Sequence, residues 1–276
     1  MNSAEENPGS VKAAQPIGVF DSGIGGLTVV SALRALLPNE SIFYLGDTAR
    51  VPYGGKSAAT VQRYSLEIAA MLLAERAKTV VVACNTASAL ALSRLEETLP
   101  VTVTGVILPG ARAAIAQTRS RHSGVIGTRA TIASGAYERA LRSLDGQVRV
   151  TARACPLLVP LIEEGWLESS ITDEIILQYL APLMNDGVDT LVLGCTHYPL
   201  LRNAIGRLAG DKIALVDSAQ NCALAIRDLL QRENLQAPEG ARGALRVALT
   251  DPPDAFLRVA REALQLDVGE VEVRTL

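Results

Sequence analysis

Two cysteines stand at the same point of two similar stretches, TVVVACNTASALAL (Thr79–Leu92) and TLVLGCTHYPLL (Thr190–Leu201). In each, a β-branched and aliphatic run ends in a small residue, followed by Cys84 or Cys195, a Thr-containing turn and a helix-like segment. A thiol where a strand gives way to a helix faces the helix N-terminus, which is expected to draw its pKa toward neutrality. The Asn and Thr residues that follow can cap the helix or bind a carboxylate. One nucleophilic thiol needs a base rather than a second thiol, and a redox pair usually has CxxC spacing. Two acid–base groups on opposite walls of a cleft suit a reaction in which a proton leaves one face of a carbon and arrives on the other. That reaction is racemisation or epimerisation. The remaining thiols, Cys155 and Cys222, read as small buried hydrophobes.

Other motifs are less decisive. DSGIGGLTVV places Gly23, Gly25 and Gly26 at the entry to a helix. Free N–H groups there could approach an anion, but the spacing is neither GxGxxG nor Walker A, and a plain tight turn fits as well. Asp21 ahead of it is either a cap or a functional carboxylate. GDTARVPYGGKS is a turn-rich loop. Its Lys56 lacks the phosphate cup that a pyridoxal phosphate lysine requires. Cys195 and His197 could ligate a metal, yet the chain has only one other histidine, His122, and no CxxC pair. Neither cofactor nor metal is expected.

The elements that must position these groups alternate in type. Strand-like runs occur at Pro16–Phe20, Ser41–Leu45, Thr79–Ala83, Val101–Val106, Gly124–Ile126, Val148–Ala152, Thr190–Leu193, Lys212–Val216 and Leu245–Leu249. Helix-like runs include Gly26–Leu37, Ala58–Arg76 and Thr172–Asn185. Such alternation predicts α/β architecture with mainly parallel sheets flanked by helices. Ligands then lie at the carboxyl ends of the strands, where Asp21, Asp47, Cys84 and Cys195 fall. The paired cysteine stretches suggest two pseudo-symmetric domains with the active site in the cleft between them. The expected division is residues 1–15 as a loose extension, 16–107 with 218–276 as one domain, and 108–217 as the other.

The 276 residues are 49% hydrophobic, ample for a packed core, and carry a mixed net charge of −3. No nucleic-acid or acidic-membrane footprint follows from that balance. The apolar runs are strand-sized and too short to span a bilayer. Residues 1–15 have no apolar core of a secretory signal. A cytoplasmic protein with reduced thiols is expected.

GVFDSGIGGLTV, GDTARVPYG, VVACNTAS, PLIEEG, LVLGCTHYPLL and LTDPPDAFLRVA together resemble, in order, the signature blocks of the cofactor-independent glutamate racemases, within the aspartate/glutamate racemase superfamily. The resemblance covers nearly the whole chain beyond the extension. It implies that Cys84 and Cys195 are the catalytic acid–base thiols, acting on the D- and L-enantiomers respectively. It implies that Asp21 assists Cys84, and that Glu163 and His197 assist Cys195. Substrate contacts are implied for Asp21, Ser22, Pro52, Tyr53, Gly54, Asn85, Thr86, Thr128, Thr196 and His197, with Thr131 also within reach. The implied activity is interconversion of L- and D-glutamate for peptidoglycan synthesis; homodimers are frequent in that family. An aspartate racemase is the neighbouring enzyme reading, since one methylene is worth only about 1–3 kcal/mol of discrimination. A non-catalytic two-lobed ligand-binding module, which would need neither thiol, is the reading from another class.

Overall fold

The computed structural model describes residues 12–251 and 255–275. Its ten strands are β1 (Ile17–Asp21), β2 (Ile42–Gly46), β3 (Thr79–Val82), β4 (Val103–Gly105), β5 (His122–Gly127), β6 (Arg149–Ala154), β7 (Thr190–Gly194), β8 (Ala214–Asp217), β9 (Leu245–Leu249) and β10 (Val271–Val273). They form two sheets, ordered β10-β9-β2-β1-β3-β4 and β6-β5-β7-β8. Every pairing is parallel.

The run β2-β1-β3-β4 in the first sheet and β6-β5-β7-β8 in the second have the same strand order. In both, the chain's first strand is central, the second lies on one side and the third on the other. A crevice opens where the direction of winding reverses, beyond the carboxyl ends of the first and third strands. Cys84 follows β3 and Cys195 follows β7, the third strand of each unit. The repeat read from the two cysteine stretches is therefore present in the topology.

β1, β2, β3 and β7 are buried at every position, as expected of β-rich runs covered on both faces. One apolar cluster runs from Ile17, Leu27 and Tyr44 through Ile226 to Leu158, Leu193 and Cys195, so the core is continuous across both sheets. The helix Ser218–Arg232 packs on both Leu27–Leu36 and Ile107–Gln117. It bridges the two lobes.

Several boundaries shift from the sequence reading. β5 begins at His122, two residues earlier than expected, and the edge strand β10 has no counterpart among the strand-like runs of the sequence. Residues 1–11 of the expected extension lie outside the described residues, but the segment is not loose at 12–15. Ala13 is buried, and its carbonyl accepts a 2.6 Å hydrogen bond from Lys78 Nζ. Residues 252–254, within the block resembling the family's C-terminal segment, also lie outside the described residues.

Candidate active site

The carboxyl ends of the two sheets enclose a cavity of about 260 Å³. Cys84 and Cys195 both line it, each only 4% exposed, and both are free thiols. Both follow the carboxyl end of the third strand of their unit: Cys84 lies two residues beyond Val82, which pairs with Phe20, and Cys195 one residue beyond Gly194, which pairs with Gly127.

On the first wall, Cys84 caps the helix Asn85–Leu90, its Sγ accepting from Ala87 N–H at 3.5 Å and lying 3.6 Å from Ser22 Oγ. The helix start is therefore used as the sequence suggested, but the expected fall in pKa does not follow. Burial, then the Asp21 carboxylate, push the Cys84 thiol up to about 12, outweighing the donors from Ala87 and Ser22. Desolvation, invisible in a local motif, is the larger effect.

Asp21 is fully buried and is not among the residues that line the cavity. One carboxylate oxygen accepts from Gly23 N–H and Gly26 N–H, both at 3.1 Å, and the other from Thr196 Oγ1 at 3.5 Å. The amides of the glycine turn are thus turned to Asp21 rather than to an outside anion. Asp21 reaches the cavity through Thr196 and through its field on Cys84. The glycines have a packing reason. A Cβ on Gly25 would lie 2.5 Å from the His197 ring and 2.7 Å from Thr196 Oγ1, so only glycine lets this turn close on the Cys195 loop. Thr28 Oγ1 fastens the same junction, donating between Gly25 O (2.9 Å) and Thr196 O (3.0 Å).

On the second wall, His197 Nδ1 lies 3.9 Å from Cys195 Sγ, while Nε2 lies 3.1 Å from Glu163 Oε1. Burial opposes the imidazolium, but the bonds to Cys195 and Glu163 outweigh it and hold His197 up at about 10. Glu163 lines the cavity and the adjacent Glu164 does not.

A third cluster closes one end. The hydroxyls of Thr86, Thr128 and Thr131 form a triangle with sides of 3.0, 3.2 and 2.9 Å. Thr86 and Thr128 line the cavity and Thr131 backs them. A Cβ on Gly54 would lie 2.8 Å from Thr128 Cβ, so the loop after β2 closes on the second lobe here. That loop carries Pro52, after a cis Val51–Pro52 bond, and Tyr53, whose hydroxyl donates to buried Asp47. Asp47 also accepts from Arg50 Nε at 2.7 Å and Thr250 Oγ1 at 2.9 Å.

Of the residues singled out in the sequence, Ser22, Pro52, Tyr53, Gly54, Asn85, Thr86, Thr128, Glu163, Thr196 and His197 converge on the cavity with the two thiols. Lys56 does not line it. Cys155, read as core filler, is buried but also forms part of the wall, with Val159, Pro160 and Tyr198. Nothing local to ARACPLLVP signals this; only the second sheet brings Cys155, after β6, beside Cys195.

Residues 27–225 match the family described as Asp/Glu/Hydantoin racemase. A glutamate racemase of Geobacter metallireducens is 50% identical over 255 residues, spanning 92% of this chain and 94% of that one. Among solved structures, a glutamate racemase isoform from Bacillus anthracis superposes with a TM-score of 0.89 at 40% identity, covering 95% of this chain and 97% of that one. The Francisella tularensis glutamate racemase in complex with D-glutamate gives a TM-score of 0.89 at 35% identity, over 95% and 98% of the two chains. Two parallel sheets of one topology, a thiol at the same strand end of each, and these near full-length likenesses agree: the chain belongs to the Asp/Glu/Hydantoin racemase family, among its glutamate racemases.

Proposed function

We propose that this protein racemises glutamate without a cofactor, with Cys195 exchanging the α-proton of the L-enantiomer and Cys84 that of the D-enantiomer. The observation that carries this reading is the placement of two buried thiols at equivalent strand ends, on a single cavity. Abstracting a proton beside a carboxylate builds negative charge next to existing charge, and preorganised donors must offset it. The helix start after Cys84, the hydroxyls of Ser22, Thr86, Thr128 and Thr196, and the Asn85 amide are such donors on the wall. Asp21 acts on Cys84 through its field, and the His197–Glu163 pair acts on Cys195. The lobes 16–107 with 218–276 and 108–217 each supply one of these two thiols, Cys84 and Cys195 respectively. No described helix is long and apolar enough to cross a membrane, and the reading includes a cytoplasmic enzyme that supplies D-glutamate for peptidoglycan.

The test is circular dichroism of purified protein with L-glutamate and, separately, L-aspartate, with no cofactor added and after dialysis against a chelator. Loss of ellipticity with glutamate and a far slower change with aspartate are expected. Turnover restored only by pyridoxal phosphate or a divalent ion, or faster with aspartate, would overturn the reading.

A further inference from the structure

Tyr137 belongs to neither cysteine stretch, yet it touches both. It lies in the first turn of the helix Ala136–Leu144 of the second lobe and is only 2% exposed. Its hydroxyl donates to Asn85 Oδ1 at 2.7 Å, across the lobe boundary, to the residue directly after Cys84. Its ring lies against the backbone directly before Cys195: a Cβ on Gly194 would stand 3.0 Å from Tyr137 Cε2. One rigid side chain thus spans the two thiol-bearing turns.

The bond to Asn85 has a directional consequence. A phenol that donates to Oδ1 fixes which way the amide faces, because an amide offers an acceptor on one side and donors on the other. Asn85 is 2% exposed, and its Nδ2 has no partner among the described residues. A buried donor without a partner is costly, and Asn85 is part of the cavity wall. A ligand rich in acceptors would satisfy it; a carboxylate is one.

We infer that Tyr137 is a positioning residue that locks the Asn85 amide with its NH2 group presented to the substrate and holds the two cysteine turns at a fixed separation. This rests on the cavity being the glutamate site. With the hydroxyl removed, Asn85 is free to turn its oxygen toward the substrate carboxylate, an acceptor facing an acceptor.

The test is a double-mutant cycle of Tyr137→Phe and Asn85→Ala, read as KM and kcat for both enantiomers, with thermal melting of each variant as a check on folding. Tyr137→Phe is expected to raise KM about tenfold in both directions with kcat changed far less, as loss of one oriented hydrogen bond implies. In the Asn85→Ala background the same change should leave KM unmoved, because the group it orients is gone. An unchanged KM in Tyr137→Phe overturns the inference, as does an equal KM rise in both backgrounds, which would mark a purely structural role. If Tyr137→Phe fails to fold, Asn85→Asp keeps an acceptor for the Tyr137 hydroxyl while removing the NH2 group, and is expected to raise KM; an unchanged KM there overturns the inference. Absence of glutamate turnover in the unmodified protein would overturn the site reading itself, a result distinct from these.

Discussion

Cys84 and Cys195 occupy unlike surroundings. The first is buried behind a carboxylate, Asp21, and is pushed up to about 12, so it keeps its proton across the physiological range. The second faces His197, a group held at about 10. On the two-thiol reading, Cys84→Ala and Cys195→Ala should each abolish racemisation, whereas Cys222→Ala, in the core away from the cavity, should not. Retained turnover by either motif variant would end that reading. The state of Cys84 also fixes where a label goes. In heavy water Cys84 carries deuterium before L-glutamate arrives, so the first D-glutamate should be deuterated at Cα while early residual L-glutamate stays protiated; mass spectrometry of early time points decides this. His197 gives a stability prediction. Its pKa rises from 6.5 in the unfolded chain to about 10 in the native one. The native state therefore binds the extra proton between those values, and stability falls as pH rises across that window. Its contribution is full below 6.5 and gone above about 10. Urea unfolding at pH 7 and pH 10 should show the loss, and His197→Asn should reduce it.

At the scale of elements, the junction between the glycine turn and the Cys195 loop is the tightest part of the site. Gly25→Ala would drive a methyl group into the His197 ring. Overpacking of this kind costs about 1–3 kcal/mol, and displacing a catalytic group by an ångström can cost roughly a hundredfold in rate. Gly146→Ala, where a Cβ meets nothing within 4 Å, is the matched control and should change neither quantity. The same junction shows where reading a sequence stops. The turn itself was legible in DSGIGGL, as was the repeat, because strand runs and glycines leave local patterns. That the turn's amides hold Asp21 and Gly25 makes room for His197, in place of binding an outside anion, was not legible, since the His197 contact joins residues far apart in the chain. Tyr137 and Cys155 have no motif at all; each owes its place to the second sheet. β10, a three-residue edge strand, is too short for its alternation to be recognised. The direction of the Cys84 shift depends on burial, which the helix start alone does not reveal.

At the scale of the molecule, the two sheets meet at their carboxyl ends, and the opposite end of the first sheet is closed separately. There Lys78 and Glu40, 1% and 3% exposed, pair at 2.5 Å. Lys78 also donates to Ala13 O, and Glu40 Oε1 accepts from Ala237 N at 2.7 Å. Four chain segments are thereby tied around one buried charge pair. Lys78→Met leaves the Glu40 carboxylate buried without its cation, and a loss of about 3–5 kcal/mol is expected in urea unfolding. Adding Glu40→Gln should recover part of it, because the uncompensated charge is then removed. A loss under about 1 kcal/mol, the range of exposed pairs, would show that the site is more hydrated than its burial indicates.

The unequal surroundings of the two thiols have one more consequence, for the enzyme's history. L- and D-glutamate have the same free energy, so the asymmetry cannot make kcat/KM differ between directions. What it can do is make the protein that releases D-glutamate different from the protein that bound the L-form. On the two-thiol reading, Cys84 has then given up its proton and Cys195 has gained one. Each such form accepts one enantiomer, and the restful form returns only as protons pass back through solvent. With concentrated substrate that return becomes the slow event, and the enzyme carries a memory of its last product. Labelled D-glutamate added to a reaction running from excess L-glutamate should report it, by being converted back before the mixture reaches equilibrium.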